Sequence, residues 1–281
     1  MSLVAIVGAG EIGTAAARAL AFRSRVDVVR LIDGQESVAA GKALDLMQAG
    51  PVRGSDTRVE AAADLSAASG AAAIVLADPA GSAEWTGESG LGALRQLLKL
   101  GCLERAILIC AGAEHRVLMQ QGLDQLRLPR RRVIGSAPEA LAATARALVA
   151  IETRAASNQV TLVVLGNPPA RMVIPWAHAS VAGHSIESML TASQLHQLER
   201  RLHGLWPPGL NALGTAAALF CEAAATGSRH LFSAFASLDR DNGTKAPVCA
   251  WPVSIGASGL ERTTSPTLTG RDRVVMDEVL E

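Results

Sequence analysis

The 281 residues contain no tyrosine, and 4 Phe with 4 Trp bring the aromatic share to only 3%. Large ring anchors are therefore scarce. A chain that is 49% hydrophobic, much of it Ala, is expected to build its interior from many close helix contacts. An excess of charge is missing too, since 26 Lys and Arg balance 26 Asp and Glu. That balance speaks against nucleic acid as a partner, and Arg130-Arg131-Arg132, the one dense basic cluster, reads as a short solvated run. The four cysteines, Cys102, Cys110, Cys221 and Cys249, show neither C-x-x-C nor zinc-ligand spacing, so reduced thiols in a cytoplasmic protein and no metal site are expected. Long hydrophobic runs are likewise lacking. The longest uncharged apolar stretch, around Ala67 to Ala77, is too short to span a bilayer, and no basic leader precedes the first strand-like run.

What is present is concentrated at the start. Leu3 to Val7 is an apolar run of strand length, followed by Gly8-Ala9-Gly10-Glu11-Ile12-Gly13 and an Ala-rich stretch with helical spacing. Strand, glycine turn and helix form the context in which G-x-G-x-x-G has a mechanism. Gly8 permits the tight turn, Gly10 lets backbone approach a pyrophosphate, Gly13 lets helix pack on strand, and the helix N-terminus offers unpaired N–H groups to the anion. A second strand, Val26 to Ile32, ends at Asp33, placed to accept hydrogen bonds from adenosine ribose hydroxyls and to repel a 2′-phosphate. Gly8, Gly10, Glu11, Ile12, Gly13 and Asp33 are the candidate cofactor-binding residues, and NAD is the cofactor they imply.

Further along, helical spacing covers Val38 to Ala49, with Gly50-Pro51 as a stop, and Val59 to Ala61 is a short strand. Ala72 to Ala77 and Ala106 to Ala111 are continuous apolar runs, expected of buried parallel strands. Between them a loop passes into a helix within Glu84 to Gly101, and Val117 to Leu126 is a further helix before the strand Arg132 to Gly135. This alternation predicts an α/β fold with an N-terminal Rossmann, doubly wound parallel sheet over residues 1–145. From Ala137 to Ala150 a long helix begins a second half that reads as mixed α+β over residues 146–281. Its predicted parts are a strand over Gln159 to Leu165, helices near Gln194 to Leu205 and Gly214 to Ala225, and a strand over Ala246 to Gly256.

Several stretches together resemble the lactate/malate dehydrogenase family, nearest to its bacterial malate dehydrogenase branch: Val4 to Gly13, Asp33, Gly41-Lys42-Ala43-Leu44-Asp45-Leu46, Arg132-Val133-Ile134-Gly135, Gly214-Thr215-Ala216 and Pro252-Val253-Ser254-Ile255-Gly256. The resemblance implies a C-terminal domain of that family's type and NAD-linked interconversion of 2-hydroxy and 2-oxo acids. It also implies a homodimer or homotetramer, since Gly41 to Met47 is similar to the family's subunit-interface helix. For the reaction, the resemblance implies a His as proton donor and acceptor, an Asp that orients it, and Arg residues that grip the substrate carboxylate.

Those positions carry other residues. Pro168, in Gly166-Asn167-Pro168-Pro169, stands where the resemblance places the His, and Leu141 and Thr144 stand where it places Asp and Arg. Arg146, two residues beyond, is turned about 200° away on a helix. The loop Asp78 to Glu88 holds no Arg, only carboxylates that would repel an acid, and Gly112 or Ala113 replaces an Asn. His115, just past a strand end, Arg171 and Thr215 are the candidate substitutes for catalysis. His178, His184, His196 and His203 read as structural or solvated. The expectation is a pseudoenzyme that binds NAD(H), and a small-molecule ligand besides. The alternatives are an active oxidoreductase on malate or a less anionic substrate, and a structural homo-oligomer.

Overall fold

Leu3–Val7 (β1) is apolar at every position because it is covered on both faces: it lies parallel between Val28–Ile32 (β2) and Ala73–Leu76 (β4), with Arg58–Ala62 (β3) outside β2. Ile107–Cys110 (β5) and Val133–Gly135 (β6) extend the sheet on the other side, giving the parallel order β3-β2-β1-β4-β5-β6. Glu11–Arg23 (α1), Glu36–Arg53 (α2), Gly87–Lys99 (α3), His115–Gln125 (α4) and Ala137–Thr153 (α5) occupy the connections. The expected Rossmann arrangement is what this computed structural model contains. It describes residues 2–238, 246–264 and 266–280, so Met1 and Glu281, the outer limits of the two expected domains, lie outside the described residues.

The second half carries five short strands, Val160–Thr161 (β7), Leu165–Asn167 (β8), Arg171–Val173 (β9), Ser180–Val181 (β10) and His184–Ser185 (β11), and two helices, Ala192–His203 (α6) and Leu210–Thr226 (α7). Phe232–Ala236 (β12), Cys249–Gly256 (β13), Gly259–Thr263 (β14) and Gly270–Leu280 (α8) follow. β12 pairs antiparallel with β6, and β13, β8 and β9 follow it in the same sheet; β7, β10 and β11 form a separate small one. The mixed α+β character of this half is thus as expected. The main apolar core takes Ala137 and Ala140 from α5, whereas Leu141, Ala142, Ala145 and Val149 of the same helix belong to a second core with Trp176, Leu195 and Leu198.

Two local expectations change. Pro51 does not stop α2, which runs to Arg53 and ends at Gly54 with φ +69°. A proline strains the preceding residue through its Cβ, and Gly50 has none. Gln159 to Leu165 is not one strand but β7 and the start of β8, in different sheets. His178 ends a single 3₁₀ turn, and His184 begins β11. β12 and β14 lacked a period-2 pattern strong enough to read.

The scarcity of aromatics shows in how α7 meets α1. A Cβ on Gly214 would lie 2.5 Å from the Ile12 carbonyl oxygen, 2.6 Å from Ala15 Cβ and 2.7 Å from the Ala16 nitrogen. The two helices touch backbone to backbone, and α7 holds the start of α1 against the sheet.

Candidate functional site

β1 delivers the glycine loop to the C-terminal edge of the sheet, where ligands of doubly wound folds bind. Gly8 turns the chain at φ +106°, and a side chain there would run into the backbone of Asp78. A Cβ on Gly13 would collide with the Gly8 carbonyl, so this glycine permits close strand–helix packing, as read from the sequence. Ile12 is fully buried beneath the loop, and Glu11 is exposed above it.

Gly10 serves a different neighbour from the one expected. A Cβ on it would collide with the carboxyl group of Asp78, whose own carbonyl accepts the Gly10 N–H at 2.8 Å. The carboxylate of Asp78 accepts from the Glu11 N–H at 2.8 Å through Oδ2 and from the Gly13 N–H at 3.0 Å through Oδ1. Those donors belong to the first turn of α1, the position that a pyrophosphate takes in this loop type. Asp78 is there because β4 lies beside β1, so the first residues after β4 pass directly over the start of α1. As folded, the loop cannot give those amides to a pyrophosphate and to Asp78 together. The donors within the cradle are taken.

Asp33, at the end of β2, is buried and turned toward the same loop. Its Oδ2 accepts from Ala9 N–H and Ala80 N–H, both at 2.8 Å, and its Oδ1 accepts from Gln35 N–H at 2.9 Å. Three backbone donors fix the carboxylate and occupy much of its accepting capacity. Lys42 Nζ donates to the Ala9 carbonyl at 2.7 Å and lies 3.6 Å from Glu11.

The segment beginning at Asp78 is held at both ends. Gln35 Nε2 donates to the Ala80 carbonyl at 2.6 Å, and Glu84 accepts from Ala113 N–H at 3.1 Å and Glu114 N–H at 3.0 Å at the start of α4. Two carboxylates of one segment therefore sit on the positive ends of two helices. Burial pushes the Glu84 carboxyl above its ordinary pKa, and the charges of Glu114 and Asp78 add to this, against the two N–H donors, which lower it. His115, the first residue of α4, is wholly buried rather than placed in an open loop. Its Nδ1 accepts the Gly112 N–H at 3.1 Å, so the neutral ring carries its proton on Nε2, which is buried without a protein partner. Burial pushes its pKa down to about 3, which keeps the ring neutral.

The other expected candidates lie apart. Arg171 is exposed on β9, 3.4 Å from Glu278 of α8. Thr215 gives its hydroxyl to the Asn211 carbonyl of its own helix at 2.7 Å and borders a cleft of about 280 Å³ with Glu139 and Arg146. Arg146 donates to buried Glu139 at 2.6 Å. Leu141 is buried in the second core, Thr144 bonds the Ala140 carbonyl, and Pro168 is buried at the end of β8. His203 meets the Pro169 carbonyl and His196 pairs with Glu199. Among the described residues no group of His, Cys, Asp and Glu could hold a metal ion, and no helix is long and apolar enough to cross a membrane. Burial pushes the Cys110 thiol up to about 12, too high for a nucleophile. A cleft of about 950 Å³ bordered by Arg23, Arg146 and Glu222 lies away from the glycine loop.

Asp78 and Glu84 are the site residues that the sequence reading passed over. The available signal was an acidic residue directly after a buried run, Ala73 to Ala77, in a loop otherwise expected to carry Arg.

Residues 2–98 match the family model described as lactate/malate dehydrogenase, NAD binding domain. A malate dehydrogenase of Thermomicrobium roseum is 28% identical, with 97% of this chain and 93% of that protein covered. Among solved structures, the malate dehydrogenase of Aeropyrum pernix superposes with a TM-score of 0.88 at 20% identity, over 99% of this chain and 94% of that one. The lactate dehydrogenase of Cryptosporidium parvum, solved with lactic acid and β-nicotinamide adenine dinucleotide, superposes with a TM-score of 0.85 at 22% identity, over 99% and 94%.

Proposed function

This chain belongs to the lactate/malate dehydrogenase family, and on that premise we propose that it is a pseudoenzyme: an NAD(H)-binding member without 2-hydroxy-acid turnover. What supports the proposal is Pro168, buried just past β8, at the position where the sequence resemblance places a proton-transferring His. A proline side chain neither donates nor accepts a proton. The neighbouring positions agree with it. Leu141 packs in apolar surroundings where a carboxylate would orient that His, Thr144 bonds its own helix, and the segment over the site offers Asp78 and Glu84 in place of Arg. An anionic substrate would meet repulsion there instead of a clamp.

Bound NAD(H) supplies a hydride donor or acceptor. This chain's part is to hold the adenosine ribose at Asp33 and to seat the dinucleotide on the glycine loop. His115 does not serve as proton relay in this proposal, since its ring is buried and its pKa near 3 keeps it from taking a proton at neutral pH. Arg171 and Thr215 are spent on Glu278 and Asn211. The family's assembly is proposed to persist: Leu44, Met47 and Val52 of α2 expose 59%, 40% and 87% of their surfaces, an apolar set for a second copy of the chain. Balanced charge and the four buried cysteines suit the cytoplasm.

A second reading, an active malate-type dehydrogenase, is favoured by the names of the curated relatives, which include the malate dehydrogenases of Thermomicrobium roseum and Pseudomonas putida. Incubating purified protein with NADH and oxaloacetate or pyruvate separates the two. The pseudoenzyme shows no NADH oxidation above background. Turnover of about 1 per second or more, the ordinary range for enzymes, would establish the second reading instead.

A further inference from the structure

We propose that Asp78 sets the affinity of the glycine loop for NAD(H): its carboxylate is a built-in occupant of the pyrophosphate donors, so that NAD(H) binds only by displacing it. The inference rests on the reading of residues 8–13 as an NAD(H) loop and adds what a phosphate must displace to enter it.

Three observations converge on it. The carboxylate makes two hydrogen bonds to Glu11 N–H and Gly13 N–H, which spans the first turn of α1 much as two phosphate oxygens would. It fills the space that the missing Cβ of Gly10 leaves, so the glycine that should admit a ligand admits Asp78. The segment is also anchored at positions remote from α1, through Ala80 to Asp33 and Gln35 and through Glu84 to Ala113 and Glu114. Displacing the carboxylate therefore means giving up charge-assisted bonds and bringing a dianionic pyrophosphate among Asp33, Asp78 and Glu84.

The full chain is titrated with NADH, read by NADH fluorescence, as wild type, Asp78→Ala and Asp78→Asn, with circular dichroism to establish that each variant is folded. Removing the carboxylate is expected to tighten NADH binding at least tenfold, about 1.4 kcal/mol. Asp78→Asn, which keeps one accepting oxygen without the charge, is expected to fall between wild type and Asp78→Ala, and it decides the matter if Asp78→Ala does not fold. Inorganic pyrophosphate should compete with NADH on the variants at lower concentration than on wild type. Wild type binding NADH as tightly as the folded variants overturns the role of Asp78 and leaves the NAD(H) reading in place. Folded variants that bind no NADH up to about 1 mM, a free energy of roughly −4 kcal/mol, overturn both.

Discussion

The burial of His115 predicts a loss of stability in mild acid that one substitution should remove. An ordinary histidine has a pKa near 6.5, and this one is pushed down to about 3 because its ring lies entirely within the protein at the start of α4. The neutral ring accepts the Gly112 N–H on Nδ1, so protonation would turn that acceptor into a donor facing a donor. The sign follows from the depressed pKa. Stability from this group is complete above pH 6.5 and is lost as pH falls through the window from 6.5 to about 3, because the unfolded chain takes the proton first. Within that window each pH unit costs about 1.4 kcal/mol, so at pH 5 the loss is about 2 kcal/mol. For a chain of 281 residues that is roughly 3–4 °C in Tm. His115→Asn keeps an acceptor where Nδ1 was and carries no titratable proton. Its smaller side chain leaves a cavity, whose cost does not vary with pH. Urea or thermal unfolding of both proteins between pH 7 and pH 5, followed by Trp fluorescence, isolates the titration as the difference between the two slopes. Glu84, whose raised pKa adds stability as pH falls, and the charges of Glu114 and Asp78 around it are present in both proteins and largely cancel. Parallel pH profiles would refute the reasoning, since His115 would then be titrating in the folded state as it does in the unfolded one.

The contact between α1 and α7 gives a second expectation. Gly214→Ala should destabilise the protein by about 1–3 kcal/mol or more, because its Cβ would lie 2.5 Å from the Ile12 carbonyl and backbone cannot step aside as a side chain can; a denaturant melt with an unchanged midpoint would contradict this. Leu44→Glu should lower the molar mass found by light scattering after size exclusion, because a charge on the exposed face of α2 opposes its burial against a second copy. A wild type already monomeric at micromolar concentration would remove α2 as an assembly surface.

Local pattern carried far along this chain. The run Leu3 to Val7, three glycines and an Ala-rich stretch specify strand, turn and helix, because each depends on residues a few positions apart. Asp33 was legible for the same reason, as the residue that closes a β-branched run at the right distance from Gly13. The buried runs over β4 and β5 announced a sheet covered on both faces. Local pattern was weaker where partners decide structure. It joined β7 to β8 although they enter different sheets, and it left out β12, whose Phe232 and Phe235 are placed by β6 and β13.

Composition and motif spacing determined by themselves a Rossmann half and a glycine loop of dinucleotide type. Only the tertiary structure decided what lies on that loop. Asp78 is 67 residues from Glu11 and 65 from Gly13 in the chain, and no periodicity links them. The parallel pairing of β1 with β4 brings them together, and an unpaired N–H group at a helix start takes whichever acceptor the fold passes over it. His115 is the same case: a residue just past a strand reads as open loop until the segment from Asp78 to Glu84 and the first turn of α4 enclose it.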